Sequence, residues 1–128
     1  WDDLQKYNRV MLVKHIFTRT PYIQYLYEIN IKNVNQYEYI CKNIIKDNLY
    51  VIVKNRFPYD LADDIEHNII WFNPKYYSKW RRTIMYDNDY IENIIHRKFS
   101  NKPYIYFMNS NQSQSIKNIS HIHLFIKK

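Results

Sequence analysis

Not one of the 128 residues is glycine, where average usage would supply about nine. Glycine is the residue that takes positive φ without steric cost and lets backbone close on a phosphate. Its absence excludes a phosphate loop, a dinucleotide-binding fingerprint and a nucleophile elbow, each of which needs it at a fixed place. Turns are expected to fall to Asn, Asp and Pro, and fifteen Asn are available.

The length suits one domain, so residues 1–128 read as a single unit. At 46% hydrophobic and 24% charged, the chain can bury a core. Ile, Asn, Lys and Tyr make up 62 residues. Their A/T-rich codons point to an A/T-rich genome, such as that of a large DNA virus or a protist. No apolar run approaches the roughly 18 residues of a membrane span, so no membrane partner is expected. Cys41 is the only cysteine, which excludes an internal disulfide and a cysteine-rich zinc site. An intracellular, reducing compartment, by default the cytoplasm, follows.

Charge is uneven. Residues 1–70 hold nine Lys/Arg and nine Asp/Glu; residues 71–128 hold ten Lys/Arg against Asp87, Asp89 and Glu92. The whole net charge of +7 therefore lies in the second half, and a one-sided positive field favours an anionic partner.

Residues 2–18 place Leu4, Tyr7, Met11 and Ile16 near helical spacing. Thr20-Pro21 is a helix start that Tyr22, Leu26 and Ile29 continue. Asn35 is suited to cap a third helix through Lys46, with Tyr37, Ile40, Cys41, Ile44 and Ile45 inward. On that face Cys41 reads as a small core residue. Strands are expected over 49–53, 67–72, 103–108 and 120–126, and a helix over 89–98 with Ile91, Ile94 and Ile95 inward. Residues 75–86 look mixed and partly helical, and 109–118 form a polar connection. The fold class is α+β, with N-terminal helices packed on one face of a small, mainly antiparallel four-stranded sheet.

Side chains alternate along a strand, so His121, His123 and Phe125 share one face while Ile122, Leu124 and Ile126 share the other. The aliphatic set should meet the helices. His67, Ile69 and Trp71 likewise share a face, and if the two strands adjoin, three imidazoles converge beside an indole. Such a set would form an open three-histidine site for a divalent metal such as zinc, from His67, His121 and His123. Without metal, the same rings would shuttle protons beside a phosphoryl group. The competing reading is of ordinary packed histidines. His15 and His96, on helices, read as structural.

The chain also resembles a family of uncharacterised proteins grouped with the fungal N-acetylglucosamine-induced protein. The resemblance rests on Trp1-Asp2-Asp3-Leu4, on Arg19-Thr20-Pro21-Tyr22-Ile23-Gln24-Tyr25 and on Asn55-Arg56-Phe57-Pro58-Tyr59. It continues through Asp64-Ile65-Glu66-His67-Asn68-Ile69-Ile70-Trp71, Phe107-Met108-Asn109, Ser115-Ile116 and His121-Ile122-His123-Leu124-Phe125. The chain departs from the pattern at Asp63, Ser110 and Lys117, where the family often has Gly, Pro and Pro. The resemblance implies a shared fold and a shared pocket from Asn55, Pro58-Tyr59, His67, Trp71, Asn109, His121 and His123, but supplies no reaction.

Three functions are therefore weighed. The first is a pocket for a phosphorylated or otherwise anionic small molecule, with hydrolysis or transfer as its chemistry. There His121 and His123 contact the anion or a metal, His67 is the acid/base or third ligand, Asn55 and Asn109 orient the ligand, and Trp71 or Tyr59 stacks on it. The second is a single-stranded nucleic-acid-binding module using Lys75, Lys79, Trp80, Arg81 and Arg82, where cations interleave with aromatics. The third is a non-catalytic assembly subunit whose 18% aromatics partly serve an interface.

Overall fold

A computed structural model describes residues 1–12, 17–77, 87–109 and 119–128. Helix α1 (Asp2–Gln5) is one turn long, with both carboxylates of its first turn at the positive end of the peptide dipoles. The helix expected over 2–18 does not continue: Arg9 takes φ 64°, and Met11–Leu12 pair as a short strand, β1. The Arg9 backbone N–H donates to the Tyr106 carbonyl, so this segment is captured by a distant sheet edge. Local helical spacing lost to tertiary pairing.

Helix α2 (Pro21–Asn33) starts as expected. Thr20 Oγ1 accepts the Ile23 N–H at 3.3 Å and Pro21 occupies the first turn. It buries no side chain, however, and Tyr22, Tyr25 and Ile29 are exposed. Asn35 caps α3 (Gln36–Tyr39) through its side chain, and the helix then widens into a π-helical turn, Ile40–Ile45. The wider turn brings Ile40 and Ile45 together into the core, leaving Cys41 and Ile44 half-buried and Tyr37 exposed.

Strands β2 (Tyr50–Lys54), β3 (Ile65–Phe72), β4 (Tyr104–Asn109) and β5 (His121–Lys127) form the expected antiparallel sheet. β1 adds to its β4 edge in parallel, giving the order β1-β4-β5-β3-β2. Among the described residues, a one-turn helix α4 (Pro74–Tyr77) and the longer α5 (Asn88–Phe99) come between β3 and β4.

Both faces of the sheet are covered, by different parts of the chain. Ile122, Leu124 and Ile126 pack with Ile52, Ile70 and Phe72 against Ile91, Ile94 and Ile95 of α5. Burial of each isoleucine there contributes about 1.5–3 kcal/mol. The N-terminal helices lie on the opposite face. Leu4 of α1 packs with Ile105, Phe107 and Phe125, and Ile40 and Ile45 pack with Ile69, Trp71 and Ile119. The aliphatic stripe of β5 thus meets α5, and the N-terminal helices cover the histidine face. Among the described residues, no helix is long and apolar enough to cross a membrane.

The lack of glycine has a structural cost. Among the described residues, positive φ falls not on Asn or Asp but on Arg9, Lys46 and Ser100. Lys46 (φ 55°, ψ −127°) ends the π-helical turn and Ser100 (φ 52°, ψ −111°) ends α5, in a region that a Cβ strains by about 1–3 kcal/mol. Lys46→Gly and Ser100→Gly should each stabilise the protein by about 1 kcal/mol, since relief of strain exceeds the added freedom of the unfolded chain. Thermal unfolding should show a midpoint higher by a few degrees. An unchanged or lower midpoint would mean that these positions carry no strain.

Candidate functional site

The register of β3 and β5 builds the site. Trp71 lies opposite His121, Ile69 opposite His123 and His67 opposite Phe125, so the three imidazoles do share one face with the indole. β4 continues that face: Phe107 pairs with His123, and Asn109 is two residues further along. Each histidine is only 5% exposed, because the N-terminal elements close over the sheet.

The hydrogen bonds decide what these rings can do. The backbone N–H of Tyr59 donates to His67 Nδ1 at 3.1 Å. A neutral His67 then carries its proton on Nε2, which lies 2.9 Å from His123 Nδ1 and donates to it. His123 in turn holds its proton on Nε2, 3.4 Å from the Asn109 side-chain amide. The Tyr59 hydroxyl hydrogen-bonds the same Asn109 side chain. The path runs from the Tyr59 backbone through two imidazoles and an amide back to the Tyr59 side chain. It clamps the turn before β3 onto the sheet.

Asn55 braces this turn. Its Oδ1 accepts the Phe57 N–H at 2.9 Å and its own N–H donates to the His67 carbonyl at 2.9 Å. Its Nδ2 lies 3.3 Å from His67 Nε2, a nitrogen already protonated for His123. His121 stands apart from the loop, donating from Nδ1 to the Ile119 carbonyl at 2.8 Å. That bond makes Nε2 the accepting nitrogen of a neutral His121.

The three-histidine metal arrangement is not what forms. Both nitrogens of His67 are engaged in the clamp, and the rings chain and stack where a metal would need them aimed at one point. Among the described residues, no three His, Cys, Asp or Glu are placed to hold a metal ion. Trp71 and Tyr59 are likewise not open stacking platforms. The Trp71 ring lies 4.8 Å from that of His121, and Tyr59 packs 4.5 Å from His67 and 5.3 Å from His123.

A cavity of about 60 Å³ adjoins the clamp, with Asn55, Tyr59, Trp71, Asn109, His121 and His123 among its walls; His67 lies behind them. Among the described residues, its cations are Arg19, Lys54 and Arg56, and no Asp or Glu lines it. All three come from the half of the chain with no net charge. Arg19 is positioned firmly. Its Nε donates to the Phe57 carbonyl at 2.7 Å, and its guanidinium lies 4.0 Å from the Tyr27 ring centre and 5.4 Å from that of Tyr59. Arg56 lies 4.6 Å from the Tyr39 ring centre, with Nη2 donating to Gln36 Oε1 at 3.3 Å. Among the described residues, neither guanidinium pairs with a carboxylate.

Site reasoning from charge and alternation missed these arginines. The available signal was their place inside the two segments, around Arg19 and Arg56, that carried the family resemblance. Lys79, Trp80, Arg81 and Arg82 lie outside the described residues. Lys75 is described, on α4, with its ammonium 5.5 Å from the Tyr76 ring centre.

Burial pushes the Tyr59 phenol up to about 12, against smaller opposing effects of the Asn109 hydrogen bond and the Arg19 charge. The folded state therefore holds a proton that the unfolded chain releases near pH 10. This stability is complete below pH 10 and is lost as pH rises toward 12. The wild type should lose about 2–3 kcal/mol more than Tyr59→Phe over that interval, measured by urea unfolding. Parallel alkaline losses in the two proteins would show that Tyr59 is not locked into the clamp.

The fold also has a solved counterpart. The chain superposes on the structure described as "Crystal Structure of HTC1" with a TM-score of 0.60, at 15% identity, over 88% of this chain and 76% of that one. At that identity the likeness speaks for the fold alone. No curated protein matches the chain. The family model described as a protein of unknown function, DUF3605, matches residues 2–127, from the Asp2-Asp3 helix to the end of the histidine strand. The chain belongs to the DUF3605 family.

Proposed function

We propose that this protein binds a small oxyanion, the terminal phosphate of a phosphorylated small molecule, in the cavity beside His121 and His123. The observation that carries this reading is the composition of the wall: among the described residues, three cations without a lining carboxylate, two of them arginines oriented by aromatic faces. A guanidinium donates two parallel N–H groups, which suits phosphate better than a chloride-like point charge. Size narrows the ligand. One water needs about 10–15 Å³ by this measure, so about 60 Å³ takes four to six non-hydrogen atoms. That is a phosphate group, and the rest of the molecule would extend out past Arg56.

Hydrolysis or transfer would fall to His121, whose accepting nitrogen is not part of the clamp, and not to His67. The raised pKa of Tyr59 makes its hydroxyl a poor nucleophile at neutral pH. The order of the motifs further supports kinship with the fungal N-acetylglucosamine-induced protein, and a phosphorylated sugar is a ligand of suitable chemistry. The nucleic-acid reading of residues 75–82 gains no support here, since Lys75 alone of its cations is described.

Calorimetric titration with inorganic phosphate and with sugar phosphates tests the reading. Arg56→Gln should weaken binding by about tenfold, the value of one charge-assisted hydrogen bond. Arg19→Gln should cost more, because Arg19 also holds the Phe57 turn. Equal affinity for wild type and both variants, or no binding to the wild type, would refute it.

A further inference from the structure

Among the described residues, the cations of the second half gather away from the histidine cavity. From residue 93 to residue 128 the chain holds six Lys/Arg and no Asp or Glu. The end of α5, the turn into β4 and the end of β5 bring Lys98, Lys102, Lys127 and Lys128 around one open cleft of about 570 Å³. No Asp or Glu is among the residues that line it. Lys127 pairs with Ile65, at the opposite end of β5 from His121, about 20 Å away along the strand.

One of the four lysines has a structural task. Lys98 Nζ donates to the Ile52 carbonyl at 2.6 Å and sits at the negative end of the α5 dipole. That account does not extend to Lys102, Lys127 and Lys128, which lie beyond the helix. Like charges around one opening repel, and an anion that bridges them relieves the repulsion. Aromatic surface adjoins them: Phe99 lines the cleft, and the Lys127 ammonium lies 5.8 Å from the Trp1 ring centre.

We propose that this cleft binds single-stranded nucleic acid, independently of the phosphate pocket. Ammonium groups take phosphates as point charges without demanding a fixed geometry, which suits a flexible backbone. The cleft has nucleotide dimensions, unlike the cavity at the other end of β5. Phe99, half-buried in the cleft wall, supplies aromatic surface against which a base packs. An acidic polypeptide would satisfy the lysines but leave that surface unused.

Fluorescence anisotropy with a short labelled oligothymidylate provides the test. The full chain should bind it with a log–log salt slope of about −2, from about 0.7 for each phosphate neutralised by Lys102, Lys127 and Lys128. Lys102→Glu/Lys128→Glu should weaken binding at least tenfold at low salt and make the slope shallower, with Lys102→Gln/Lys128→Gln intermediate. Both residues are exposed, and neither lines the phosphate pocket, so calorimetric phosphate binding should survive in these variants. No binding at low salt would overturn the proposal. So would equal binding by the variants, which would trace it to another segment, or tighter binding of polyglutamate than of the oligonucleotide.

Discussion

The 2.9 Å contact between His67 and His123 holds the histidine face together. It crosses from β3 to β5 in the buried layer, and its direction follows from a single backbone donor, the Tyr59 N–H, which occupies the other nitrogen of His67. Once that bond is made, the tautomers of His67 and His123 are determined in sequence. Buried polar groups of this kind are costly when unpaired and rigidifying when paired. The turn that carries Asn55, Arg56 and Phe57 is thereby fixed to the sheet. Arg19, anchored on the Phe57 carbonyl, is fixed with it.

This arrangement separates two roles that the three histidines share on paper. His67 and His123 are structural members of a clamp, although His123 also reaches the cavity wall. His121 sits outside the clamp, held by the Ile119 carbonyl and backed by Trp71. A face that looks like one catalytic cluster is thus a scaffold of two rings with a third beside an opening. Among the described residues, the cations of that opening come from the N-terminal half, while Lys98, Lys102, Lys127 and Lys128 gather at the far end of β5. Net charge summed along a chain says which sign dominates, not where in space it is displayed.

Local chemistry was legible wherever it depended on near neighbours. Thr20 and Asn35 cap the helices that their side chains suggest, because a cap needs only a hydrogen bond three residues ahead. The alternation of His121, His123 and Phe125 against Ile122, Leu124 and Ile126 placed the rings on one face, since a strand has a period of two. The 2–18 segment read wrongly for the complementary reason. Leu4, Tyr7, Met11 and Ile16 have helical spacing, but β4 offers an open edge to Met11–Leu12, and no local pattern registers an edge over ninety residues away.

The sequence by itself determined the α+β class, the four antiparallel strands and the shared face of the imidazoles, because periodicity and capping are short-range properties. Only the tertiary structure decided which layer covers that face, which nitrogen each ring presents and which cations reach the cavity. Those outcomes depend on contacts between segments far apart in the chain, such as Tyr59 with His67, His67 with His123 and Arg19 with Phe57. The absence of glycine belongs to both levels. Composition rules out a phosphate loop, while the fold alone assigns the strained turns to Arg9, Lys46 and Ser100, because sheet pairing and helix ends choose where the chain must reverse.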